Sequence, residues 1–190
     1  MSGLLQRFDS ALMTAPDPAT APLPSEDAAL FAALRRWCLF DASRERQGGA
    51  LRPRQPITIA RLAGPHPRQA RLAERLALEL DGSLLLQARG RFGGLALRVR
   101  VKLQDAGIWP TNADSAIWDA GWLRAGAVPA CEQFRPRRAT LLLVDAKQAH
   151  ELPQALAALR QASASYALPL RVLLLNPPEH LAGESLHVIA

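Results

Sequence analysis

Residues 64–70 read Gly-Pro-His-Pro-Arg-Gln-Ala and lie between an apolar, β-prone run, Ile57-Thr58-Ile59-Ala60-Arg61-Leu62, and a helical pattern over residues 68–80. A strand, a Gly-containing turn and a helix together form the frame of a phosphate-binding loop. In that frame converging backbone N–H groups and the positive end of the helix dipole hold an anion. Chemistry at such a loop also needs a lysine for charge and a hydroxyl for Mg²⁺, supplied as Gly-Lys-Ser/Thr. This chain has Arg68-Gln69-Ala70 there. Gln69 has no charge and Ala70 cannot ligate metal. Pro65 and Pro67 each remove one backbone donor. The frame predicts a nucleotide-hydrolase fold, and the missing side chains argue against hydrolysis.

Two further polar residues end apolar runs. Asp145 follows Thr140-Leu141-Leu142-Leu143-Val144, and Asn176 follows Leu170-Arg171-Val172-Leu173-Leu174-Leu175. An acid at the C-terminal edge of a buried parallel strand is common in α/β proteins, so Asp145 alone has two readings, structural or metal-holding. His66, His150, His180 and His187 show no ligand spacing, so no metal site is expected. Cys38 and Cys131 lie far apart and read as two reduced thiols. No Gly-x-Ser-x-Gly, His-Glu-x-x-His or Cys-x-x-Cys occurs.

The formal net charge is +6 and comes almost wholly from arginine, since Lys102 and Lys147 are the only lysines. Arginine suits phosphate, yet the same excess also makes an ordinary solvated surface. Residues 97–103 alternate apolar and basic, which predicts a half-exposed strand with Arg98, Arg100 and Lys102 on its wet face. With Arg89, Arg91, Arg137 and Arg138 they form a candidate face for nucleic acid or an acidic partner. Trp37, Trp109, Trp118 and Trp122 are the candidate protein-contact aromatics.

The elements that must position these residues follow from periodicity. At 190 residues, with 49% apolar composition, the chain can bury one α/β core. Residues 1–24 read as a flexible arm and a Pro-rich linker, with Pro16, Pro18, Pro22 and Pro24 denying regular structure. Residues 25–190 read as a single domain. Ser25 is a fair N-cap for a helix whose apolar face carries Leu30, Phe31, Leu34, Trp37 and Cys38. Residues 83–87 read as a short strand, residues 117–123 as strand plus turn, and residues 152–164 as a helix. Strand and helix alternate, so a mostly parallel sheet with helices on both faces is expected. No apolar run approaches the roughly 20 residues that span a bilayer, and residues 1–10 have no signal-peptide core. A cytoplasmic protein is the expectation.

The order of these parts resembles bacterial P-loop ATPases of the STAND and AAA-like group, with a RecA-like frame. The residues that carry the likeness are Trp118-Asp119-Ala120-Gly121-Trp122-Leu123 and Arg137-Arg138-Ala139-Thr140-Leu141-Leu142-Leu143-Val144-Asp145. It spans roughly residues 55–176. The resemblance implies a three-layer α/β fold of P-loop type and a vestigial nucleotide site at Gly64, Arg68, Gln69, Ala70, Asp145 and Asn176. Arg68 stands at the last loop glycine, Gln69 at the phosphate-binding lysine and Ala70 at the Mg²⁺-binding hydroxyl. Asp145 matches the Walker B aspartate and Asn176 a polar sensor. Ala146 replaces the second acid usual in hydrolysing members.

The expected function is therefore non-enzymatic: a pseudo-ATPase serving as adaptor, regulator or scaffold, without cofactor. Its expected partner is a protein, an ATPase or another copy of the chain. A basic nucleic-acid-binding protein is the alternative and a weak nucleotide binder the third.

Overall fold

The computed structural model describes residues 9–17, 23–40, 56–62, 64–88, 117–145, 150–176 and 187–189. Six strands form one sheet: β1 (Met13–Thr14), β2 (Ile57–Leu62), β3 (Asp119–Leu123), β4 (Thr140–Asp145), β5 (Leu170–Leu175) and β6 (His187–Ile189). Their spatial order is β1-β3-β4-β5-β2-β6. All neighbours run parallel except β1, which lies antiparallel to β3. The expected mostly parallel α/β sheet is thus present.

The strands alternate apolar side chains between two cores, as a period of two requires. Leu142, Val144, Val172 and Leu174 face one cluster, with α4 (Val128–Gln133) and α5 (Leu152–Ala162) over it. Leu141, Leu143, Leu173 and Leu175 face the other, covered by α1 (Ala28–Phe40) and α2 (His66–Leu80). With both faces covered, β4 and β5 can be apolar throughout. Helix, sheet and helix make three layers.

Four expectations change. Residues 83–87 do not form a strand: α3 (Ser83–Ala88) is helical. Asp81 Oδ1 accepts the Ser83 N–H at 2.7 Å, which starts a new turn directly after α2. Leucine then favours the helix, since a short apolar run has no period that distinguishes the two states. Ser25 is not an N-cap; it opens a 3-10 turn, Ser25–Asp27, entered from Pro24 with no side-chain cap.

Helix α2 begins two residues earlier than its pattern predicts. Pro65 occupies the N-cap and Pro67 the first turn, where a missing N–H is tolerated.

The fourth change concerns the N-terminal arm. Within it, residues 9–17 belong to the folded body rather than to a flexible tether. Leu12 and Met13 are 0% and 1% exposed in the α5-side core. Burial of two such side chains stabilises by about 1.5–3 kcal/mol each. Met13 pairs with Leu123 and Thr14 with Trp122, and the Arg124 N–H donates to the Leu12 carbonyl at 3.0 Å. Gly121 permits this approach, because a Cβ there would meet the Thr14 carbonyl oxygen at 2.4 Å.

Candidate functional site

The C-terminal ends of β2, β5 and β4 lie level with one another. Leu62 pairs with Leu175, and Leu175 pairs with Asp145. The helix leaving β2 covers one face of the sheet, whereas the helix leaving β4 covers the other. In open α/β sheets such a change of face at the strand ends opens the crevice that takes ligands. All six residues expected at a vestigial nucleotide site lie at this edge: Gly64, Arg68, Gln69 and Ala70 after β2, Asp145 ending β4, and Asn176 after β5.

Gln69 lies buried at this edge. It is 3% exposed. Its Nε2 donates to the Gly64 carbonyl at 2.5 Å, and its Oε1 accepts the Asn176 N–H at 3.1 Å. One carboxamide therefore joins the turn after β2 to the residue after β5. Both partners have left-handed backbones, with φ of 117° at Gly64 and 49° at Asn176. Only glycine reaches the first without strain, and asparagine tolerates the second better than most residues do.

The neighbouring residue is also tied. Arg68 Nε meets Asp27 Oδ1 at 2.5 Å, with the Asp27 side chain 2% exposed and that of Arg68 38% exposed. Arg68 thus links the start of α2 to the turn that opens α1. The backbone donors are engaged as well: the N–H groups of Arg68 and Gln69 donate to the Pro65 carbonyl at 3.0 and 3.1 Å. Pro67 has none to give. Ala70 is half-buried and packs against the α1–α2 core. Asp145 is half-buried at the strand end.

The other sequence-predicted residues separate from this edge. Arg137 is exposed before β4, at the opposite end of the parallel strands. Arg138 is half-buried there, 3.7 Å from Asp119 Oδ1. Arg89, Arg91, Arg98, Arg100, Lys102 and Trp109 lie outside the described residues, as does the strand expected over 97–103. Trp37 and Trp118 are buried in the α1–α2 core, which removes them from the contact surface expected of them. Trp122 is half-buried against the same core.

Burial, not charge, governs the thiols. It pushes the Cys131 thiol up to about 11 and the Cys38 thiol higher still, although Arg171 partly opposes the second shift. Both cysteines are free and buried. Among the described residues no group of three or more His, Cys, Asp or Glu side chains could hold a metal ion.

Among the described residues a cavity of about 140 Å³ lies elsewhere on this edge, lined by Leu123, Val144, Leu152, His150 and Glu151. Its volume falls short of the roughly 300–1,000 Å³ typical of small-molecule sites. Among the described residues no helix is long and apolar enough to cross a membrane.

The bridging role of Gln69 was not legible in the chain. A polar residue in the first turn of a helix is ordinary, and nothing local marks its amide as spanning two strand ends. The Arg68–Asp27 pair, 41 residues apart in sequence, likewise has no local signal. Comparisons with protein-family models, with curated proteins and with solved structures find no match.

Proposed function

We propose that this chain is a degenerate P-loop-type domain that works without catalysis, as an adaptor, regulator or scaffold bound to another protein. The observation that carries the reading is the Gln69 bridge between Gly64 and Asn176. In a working nucleotide site the bound phosphate joins the loop to the neighbouring strand ends, with lysine and Mg²⁺ offsetting its charge. Here a neutral amide of the chain itself makes that link, and the adjacent Arg68 pairs with Asp27. Phosphate would have to displace both contacts and would meet neither a lysine nor a metal-binding hydroxyl. The edge that a nucleotide would otherwise order is held by internal contacts. Such a domain presents one surface irrespective of nucleotide, which suits a scaffold.

The nucleic-acid alternative rests mainly on arginines outside the described residues. Among the described residues Arg135 and Arg137 are exposed in support of it, whereas Arg138 faces Asp119.

Melting of the full chain with and without Mg²⁺-ATP, beside DNA binding over a salt series, separates the three readings. The adaptor reading expects an unchanged melting temperature and at most weak, salt-sensitive DNA binding. A melting temperature that rises with nucleotide concentration supports a nucleotide binder instead. Submicromolar DNA affinity near physiological salt supports the nucleic-acid reading.

A further inference from the structure

We propose that the cavity between the starts of α4 and α5 is a socket for one uncharged aromatic ring of a protein partner, with an acidic residue beside that ring. The inference rests on the adaptor reading for its partner, and it names where that partner is held.

The walls come from two neighbouring strands and the helices that leave them. Leu123 ends β3, Val144 lies near the end of β4, and Val128 and Leu152 begin α4 and α5. Ala127 and Ala155 add to the lining, and their short side chains leave space there. Ala127, Val144, Leu152 and Ala155 are all buried and belong to the core beneath, which fixes the walls. The Gly126 N–H donates to Glu151 Oε2 at 2.8 Å and ties the loop after β3 to the residue before α5. Gly126 has a φ of 72°, which suits glycine. The socket is therefore formed before anything enters it, and this lowers the ordering cost of binding.

Size selects the occupant. Interiors are close-packed, and an empty space forfeits contacts along its walls. The volume is about 140 Å³. An apolar cavity of about 150 Å³ holds one benzene ring, whereas a cofactor-sized ligand needs roughly 300 Å³ or more. The walls are aliphatic, so they suit a bare ring better than a buried hydroxyl or amide. A single buried aromatic anchor is a common source of affinity in protein interfaces.

Charge selects the neighbour of that ring. Among the described residues Arg124, His150 and Glu151 are the polar part of the lining, and Arg124 and His150 are exposed. Glu151 is engaged on both oxygens, by the Gly126 N–H and by His150 Nε2 at 3.5 Å. Arg124 Nη1 donates to the Ser10 carbonyl at 2.7 Å. That acceptor is neutral, so the guanidinium charge stays open to a carboxylate from outside.

The test is NMR of the full chain titrated with benzene, with N-acetyl-Asp-Phe-amide and with its Asp-Ala and Lys-Phe counterparts. Benzene and the Asp-Phe peptide should give saturable shifts at the methyls of Leu123, Val144 and Leu152. The Asp-Ala peptide should give none. The Lys-Phe peptide should bind about two- to fivefold more weakly, as loss of one surface ion pair predicts. Arg124→Glu should weaken the Asp-Phe peptide and leave benzene unchanged. Val128→Leu and Ala155→Leu narrow the socket from two sides, and each should abolish both signals; using two guards against one that fails to fold. Benzene that leaves the three methyls unmoved overturns the proposal. So does benzene binding without a response to the Asp-Phe peptide, which marks a site for a free small molecule. Equal binding of the Asp-Phe and Lys-Phe peptides overturns it too. Melting with Mg²⁺-ATP reads the adaptor proposal independently, so an unresponsive socket with an unchanged melting temperature strikes this inference alone.

Discussion

The Asn176 N–H donates to the Gln69 carboxamide oxygen across 3.1 Å, and the same carboxamide donates to Gly64. The turns that leave two neighbouring strands, β2 and β5, are thereby joined through one buried side chain. Gln69→Ala breaks both bonds and leaves a donor and an acceptor short of a partner. The expected cost is about 1–3 kcal/mol, read as a lower melting temperature with unchanged far-ultraviolet circular dichroism. Gln69→Lys should cost more, because it puts a charge where only 3% of the residue meets solvent. A Gln69→Ala chain as stable as the parent would mean that the bridge contributes nothing.

Arg68 and Asp27 should respond unequally to truncation. Asp27 is 1% exposed, whereas the guanidinium of Arg68 reaches solvent. Arg68→Ala strands a buried carboxylate, at a cost on the order of 2 kcal/mol. That figure lies below the value for fully buried pairs because water screens the arginine. Asp27→Asn keeps an acceptor beside Arg68 and should cost less than half as much. Urea unfolding of the two variants decides it, and equal losses would contradict the asymmetry.

The N-terminal segment is part of the core. Leu12→Ala is expected to destabilise by about 2–4 kcal/mol, as at other buried leucines. Removing residues 1–17 should cost at least as much and shift the urea midpoint downward. Proteolysis should then cut the truncated chain faster than the parent. A truncated chain with the parent's midpoint would show that Leu12 and Met13 are not held in the core in solution.

Cys131 makes alkaline stability informative. Its thiol rises from 9.0 to about 11, because burial disfavours the thiolate. The unfolded chain therefore releases this proton before the folded one does. Stability from this group is complete below pH 9 and falls as pH rises from 9 toward 11, by on the order of 2 kcal/mol. Cys131→Ala should make that part of the curve shallower, and the slope that remains belongs in part to Cys38, whose thiol is raised further still. At neutral pH neither Cys131 nor Cys38 should react with a thiol reagent until the chain unfolds. Rapid labelling of the native protein would contradict their burial.

Much of the frame was legible in the chain. Ile57–Leu62, Thr140–Asp145 and Leu170–Leu175 stand out because buried parallel strands are apolar on both faces and are bounded by turn residues. Residues 83–87 misread because a short leucine run fits either a strand or a helix, and the Asp81 contact that decides it is tertiary detail. Prolines 16 to 24 read as a linker in the chain, and they hide that the residues just before them supply an edge strand. At the site, sequence shows Arg68-Gln69-Ala70 in the turn and first helical residues after β2, whereas the amide reaching from residue 69 to residue 176 depends on β5 lying beside β2. Strand order of that kind leaves no local trace.

No phosphoryl transfer is expected at the strand ends where Gln69 bridges Gly64 and Asn176. The direct measurement is steady-state Mg²⁺-ATP turnover by the purified full chain, run beside Asp145→Ala. Without the lysine and the metal-binding hydroxyl, the contacts that offset transition-state charge are missing, and their loss lowers rate by several orders of magnitude. The expected result is phosphate release indistinguishable from the buffer blank in both proteins. Mg²⁺-dependent turnover in the parent that disappears in a folded Asp145→Ala chain would contradict the account.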